Sequence, residues 1–120
     1  MELKKGMYIR SKDKNGVQYI RKIVELPEDV RYGSIKVDKN IYNSCAVSKK
    51  NVLKVSFNLI DLIEVGDYVN GVEVEEINDK EIMLVDTHLW IDKEVANRLI
   101  ESIVTKEQFE SMKYIVERNK

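Results

Sequence analysis

The stretch Gly66-Asp67-Tyr68-Val69-Asn70-Gly71-Val72-Glu73-Val74-Glu75-Glu76-Ile77 decides the fold class. Residues alternate in polarity after Asn70-Gly71, and Asn and Gly accept the positive φ that a tight hairpin turn requires. A β-hairpin is expected here. Working toward the N-terminus, Gly6-Met7-Tyr8-Ile9 followed by Asn15-Gly16-Val17 has the same form with a longer turn region. Met7 to Arg10 is expected as a strand and Val17 to Glu25 as its return. Pro27 has no N–H to give to a ladder, which makes Leu26 to Gly33 a loop, and Ser34 to Val37 resumes as a strand.

Each hairpin runs on into a further strand, a short helix opened by a polar cap (Ser48 or Asp92), and an apolar segment. Ser48 to Lys54 is long enough for two helical turns, and Ser56 to Ile63 is β-prone. Glu81 to Val85 and Leu89 to Ile91 read as strands. Asp92 to Glu101 fits a helix with Val95 and Leu99 on one face. Ile103-Val104 reads as a brief strand, and Thr105-Lys106-Glu107-Gln108 has the form of a capping box opening a last helix. Tyr114-Ile115-Val116 is expected to end the chain as a strand. The recurrence predicts an internal repeat of residues 1–62 and 63–120. The fold class expected is mainly β with short helices (α+β), two tandem SH3-like hairpin-led β-modules packed as one compact unit. The plainer account is that Gly-x-Tyr and Asn-Gly recur by chance in a chain full of hairpins.

Composition narrows the class. With 120 residues the chain can bury a real core, and 43% hydrophobic with 34% charged residues is too apolar for disorder and too charged for lipid. A net charge of -1 removes any general attraction to nucleic acid. The apolar clusters Leu59-Ile60 and Leu62-Ile63 are cut by charges within a few residues, far short of a membrane span. Cys45 is the single cysteine, which excludes an internal disulfide, and Met1-Glu2-Leu3-Lys4-Lys5 lacks the apolar run of a signal peptide. A cytoplasmic protein is expected.

No catalytic or metal-binding motif is present. His88 is the only histidine, so no His/Cys set has zinc spacing, and a Cys-His pair would need Cys45 and His88 to meet. Asp86-Thr87-His88 reads as a polar turn, and Glu75-Glu76 and Asp79/Glu81 read as solvated carboxylates. The glycines fall singly, without a phosphate loop. Trp90, between Leu89 and Ile91, reads as core. No cofactor is expected, and the chain is read as a non-enzyme. What remains is basic and aromatic: Tyr8, Arg10, Tyr19, Arg21, Arg31 and Tyr32, with Lys12, Lys14 and Lys22 nearby. Tyr8 and Arg10 share one strand face, as do Tyr19 and Arg21, and arginine beside an aromatic ring suits phosphate pairing and base stacking. The competing account has the tyrosines at the core edge and the charges keeping a sheet edge soluble.

The stretch Ser56-Phe57-Asn58-Leu59-Ile60-Asp61-Leu62-Ile63-Glu64-Val65-Gly66-Asp67-Tyr68-Val69-Asn70-Gly71, with Ile103-Val104-Thr105-Lys106-Glu107-Gln108-Phe109-Glu110, resembles small proteins from phages and prophages of clostridia and related Gram-positive bacteria. The resemblance covers about half of the chain and leaves the part before Asn51 unmatched. It implies a protein of the bacterial host cytosol. The most similar functional class is the Thoeris anti-defence sponge, which binds a cyclic nucleotide signal without cleaving it. The partner implied is such a signal, or a host defence protein, and the ligand site would lie at a subunit interface of a homo-oligomer. A nucleic-acid-binding accessory role is the alternative that an SH3-like fold would allow.

Overall fold

The computed structural model describes residues 2–29, 31, 33–38 and 46–112. Among them, ten strands form two five-stranded antiparallel sheets. The first holds β1 (Tyr8–Lys12), β2 (Gln18–Glu25), β3 (Ile35–Val37), β4 (Ala46–Val47) and β5 (Val52–Ser56), in the order β4-β3-β2-β1-β5. The second holds β6 (Tyr68–Val69), β7 (Val72–Ile77), β8 (Glu81–Leu84), β9 (Trp90–Asp92) and β10 (Ile103–Val104), in the order β10-β6-β7-β8-β9. Counted from the first strand of each, the two orders are the same. The described residues also form two short helices, α1 (Lys93–Leu99) and α2 (Lys106–Met112). No helix among the described residues is long and apolar enough to cross a membrane.

The backbone bonds of the two hairpins superimpose residue by residue. Gly6 donates its N–H to the Ile23 carbonyl at 2.9 Å, and Gly66 donates to Val74 at 3.0 Å. Ile23 donates back to Met7 at 2.7 Å, and Val74 to Asp67 at 2.8 Å. Both leading glycines hold a left-handed φ, +93° at Gly6 and +94° at Gly66, which a side chain would strain. The pairing with the third strand is irregular after Ile23 in one sheet and after Val74 in the other. Ile9, Ile23, Ile35, Val37 and Val47 therefore hold the places of Val69, Val74, Ile82, Leu84 and Ile91. Each set forms its own core cluster. At about 1.5–3 kcal/mol per fully buried aliphatic side chain, these clusters are the main favourable term in each sheet. Ile60 and Ile63 pack with the second cluster, so that core recruits residues on both sides of position 62.

Several local expectations are corrected. The helix expected over Ser48 to Lys54 is a single 3-10 turn, Lys49–Asn51, because β-branched Val52 and Val55 join β5 and pair with β1. The β-prone run Ser56 to Ile63 ends as a strand at Ser56. The Ser56 hydroxyl then accepts the Asn58 N–H, and a 3-10 turn follows at Leu59–Leu62. Trp90 is 40% exposed, since strand alternation gives the core place on β9 to Ile91. On α1, Val95 and Leu99 are exposed, and Ala96 and Ile100 face the core. Two of the three expected caps form: Asp92 accepts from the Glu94 N–H, and Thr105 and Gln108 bond reciprocally at 3.0 Å, whereas the Ser48 side chain makes no cap bond. Tyr114-Ile115-Val116 and Cys45 lie outside the described residues.

Candidate functional site

Strand register separates the basic and aromatic residues into two groups. Ile9 lies opposite Arg21, so Arg21 and Tyr19 share the face of β2 that carries Ile23 into the core. Tyr8 and Arg10, opposite Lys22 and Ile20, are on the other face.

Arg10 is fully buried. Its Nε donates to Gln18 Oε1 at 2.5 Å, and Nη1 donates to the Leu62 carbonyl at 3.0 Å and to Asp67 Oδ2 at 2.5 Å. Nη2 donates to Asp67 Oδ1 at 3.2 Å and to Glu107 Oε1 at 3.0 Å. All five guanidinium N–H groups are thereby used. Burial lowers the Arg10 pKa, but the hydrogen bond and charge of Asp67, with Glu64 and Glu107, outweigh it and raise the pKa above its ordinary value. Buried and saturated, Arg10 has no donor to offer a phosphate, which corrects its expected ligand role. It joins the two sheets instead. The reason lies in hairpin length: thirteen residues separate Ile9 from Ile23 but four separate Val69 from Val74. Arg10 therefore extends past the point where the second repeat turns back at Asn70.

The rest of this junction comes from afar in the chain. Asp67 also accepts the N–H groups of Glu64 and Lys106, and the Thr105 hydroxyl donates to the Gln18 carbonyl at 2.6 Å. Burial raises the Glu64 pKa, but its bond to Lys54, the Arg10 and Lys54 charges and the bond to Lys106 hold it below the usual carboxylate range. The stretches 56–71 and 103–110, which carry the sequence resemblance, supply Leu62, Glu64, Asp67, Thr105 and Glu107 to this junction.

On the opposite face, the Arg21 guanidinium carbon sits 4.7 Å from the centroid of the Tyr19 ring. Both line a cleft of about 180 Å³ with Ser11, Lys12, Asp13, Ser48 and Asn51. Lys49 and Lys50 stand exposed on the 3-10 turn between the last two. The link from β4 to β5 is that short turn, whereas the equivalent link from β9 to β10 is helix α1, packed on its core through Ala96 and Ile100. The first sheet thus keeps beside its short turn a cleft that combines the largely buried Arg21 with an aromatic ring, hydroxyl groups and the Asp13 carboxylate. Lys12, Ser48 and Asn51 carry no periodic signal, and only the fold brings them to Tyr19 and Arg21.

The other expected residues lie elsewhere. Arg31 is exposed and pairs with Asp29 at 2.8 Å, which holds the Asp29 carboxyl below its ordinary range. Tyr32 lies outside the described residues. Tyr8 lines a groove of about 230 Å³ with Lys22, Leu59, Ile100 and Ile103, the Lys22 ammonium 5.9 Å from the ring centroid. His88 sits in an exposed turn at φ 55°, its Nδ1 2.8 Å from Glu75. Among the described residues no group of three His, Cys, Asp or Glu is placed to hold a metal ion. No family model, curated protein or solved structure matches the chain.

Proposed function

We propose that the chain is a non-enzymatic binding protein of two tandem SH3-like modules, phage- or prophage-encoded, that captures a nucleotide-derived immune signal in the Tyr19–Arg21 cleft. The single observation that supports this reading is the Arg21–Tyr19 stack at the wall of an open cleft. A guanidinium pairs with phosphate and an aromatic face stacks on a base, so both halves of a nucleotide find a partner within one site. At about 180 Å³ the cleft takes one ring or one phosphate, and the rest of the ligand would lie across the exposed Lys12, Lys49 and Lys50. The SH3-like assignment rests on the shared strand order and on the helical turn that precedes each fifth strand.

Calorimetric titration with cyclic ADP-ribose isomers and cyclic oligonucleotides tests the proposal. One of them is expected to bind, to be recovered intact after the protein is denatured, and to bind at least about tenfold more weakly to Arg21→Lys, which keeps the charge but loses the planar fork. No binding by any of these compounds, or unchanged affinity in Arg21→Lys and Tyr19→Ala, would overturn it.

A second reading is favoured by the charge of the first unit, where thirteen Lys and Arg face seven Asp and Glu over residues 1–62. A nucleic-acid-binding role predicts retention of single- or double-stranded DNA or RNA that weakens steeply with salt, regardless of sequence.

A further inference from the structure

The two sheets carry opposite charge. Residues 1–62 hold thirteen Lys and Arg against seven Asp and Glu, whereas residues 63–120 hold seven against fourteen. Part of this asymmetry is consumed where the sheets meet, in the ion pairs of Arg10 with Glu64, Asp67 and Glu107 and of Lys54 with Glu64. Much of it is not. Among the described residues Lys12, Lys14, Lys49 and Lys50 form no ion pair, and neither do Glu76, Glu81 and Asp86.

Two of these acids, Glu76 and Glu81, flank an apolar patch. Ile82 and Ile91 are a cross-strand pair directed into the second core, so their neighbours Met83 and Trp90, also paired, lie on the outer face of β8 and β9. Trp90 is 40% exposed, and Leu89 beside it is 67% exposed. Glu76 pairs with Met83, and Glu81 with Asp92, which sets carboxylates along the margin of the patch. An aromatic centre with a charged rim is the anatomy of a protein interface. Its rim calls for a basic partner, and a second copy of this chain presents one in the lysines of its first sheet.

We propose that the chain self-associates, the Trp90 face of one copy seating against the Lys12, Lys49 and Lys50 surface of another. The contact buries the indole and neutralises charges that form no ion pair among the described residues. Because Lys12, Lys49 and Lys50 also flank the Tyr19–Arg21 cleft, a second copy and a cleft ligand would compete for this surface, and the contact is tested on the ligand-free protein.

Trp90 is the only tryptophan, so its emission reports the contact directly. Sedimentation velocity at low ionic strength is expected to show species heavier than the 14.0 kDa monomer, with Trp90 emission shifted to the blue. At about 0.5 M salt, where screening confines charge effects to about 4 Å, the monomer and the red-shifted emission should return. Glu76→Lys with Glu81→Lys, and separately Lys49→Glu with Lys50→Glu, should each be monomeric at low salt, while an equimolar mixture of the two should associate. A wild-type protein that stays monomeric at low salt with concentration-independent emission would overturn the proposal, whatever the variants do. So would association that persists undiminished in either folded reversed variant alone.

Discussion

A guanidinium taken out of water loses its hydration, and Arg10 replaces it with the bonds it donates to Gln18, the Leu62 carbonyl, Asp67 and Glu107. Removing one partner of such a cluster leaves the others buried and charged. Arg10→Ala is therefore expected to lower the unfolding free energy by about 3–5 kcal/mol in a denaturant titration. Replacing the pair together, as Arg10→Met with Asp67→Leu, should not restore stability, because Asp67 also accepts the N–H groups of Glu64 and Lys106. Recovery to wild-type stability in that double variant would refute the role assigned to Asp67. The burial of Arg10 was not legible in the sequence. Alternation shows which side chains share a face of β1, but the groups that cover this face arrive from 52 to 97 residues away.

Among the elements, those set by local bonds were legible and those set by competition were not. The Asn70-Gly71 turn, with φ 50° and 82°, and the Thr105–Gln108 capping box need only residues a few positions apart. The Ser48 segment went the other way. Its N-cap residue favours a helix, but Val52 and Val55 gain more by pairing with β1 and packing against the first core. Thr105 combines both kinds of contact, since it caps α2 and donates to the Gln18 carbonyl of the first sheet. Thr105→Ala should cost about 1 kcal/mol for the cap, with a further loss for the bond to Gln18. Thr105→Ser, which keeps the hydroxyl, should stay close to wild type in the same unfolding experiment, and equal losses in the two variants would count against this assignment.

Across the whole molecule, two separate cores are held together by a charged junction, so acid should act on the junction. Glu64 is held below the usual carboxylate value of 4.5 in the folded state. A depressed folded pKa contributes stability that is present above the unfolded value and is lost as pH falls through it toward the lower folded value. The melting temperature should therefore drop as pH is lowered below about 4.5, and Glu64→Gln should flatten that part of the profile. An unchanged profile in Glu64→Gln would remove Glu64 from the acid response. By itself the sequence determined the hairpins, the Asp92 and Thr105 caps and the repeated Gly-x-Tyr-hydrophobic unit, because those follow from periods and contacts within a few residues. Only the tertiary structure decided that Arg10 is a joint, that Trp90 is outside, and that Tyr19 and Arg21 share a cleft with Ser48 and Asn51. Those outcomes depend on which surface lies over which, and no local period encodes that.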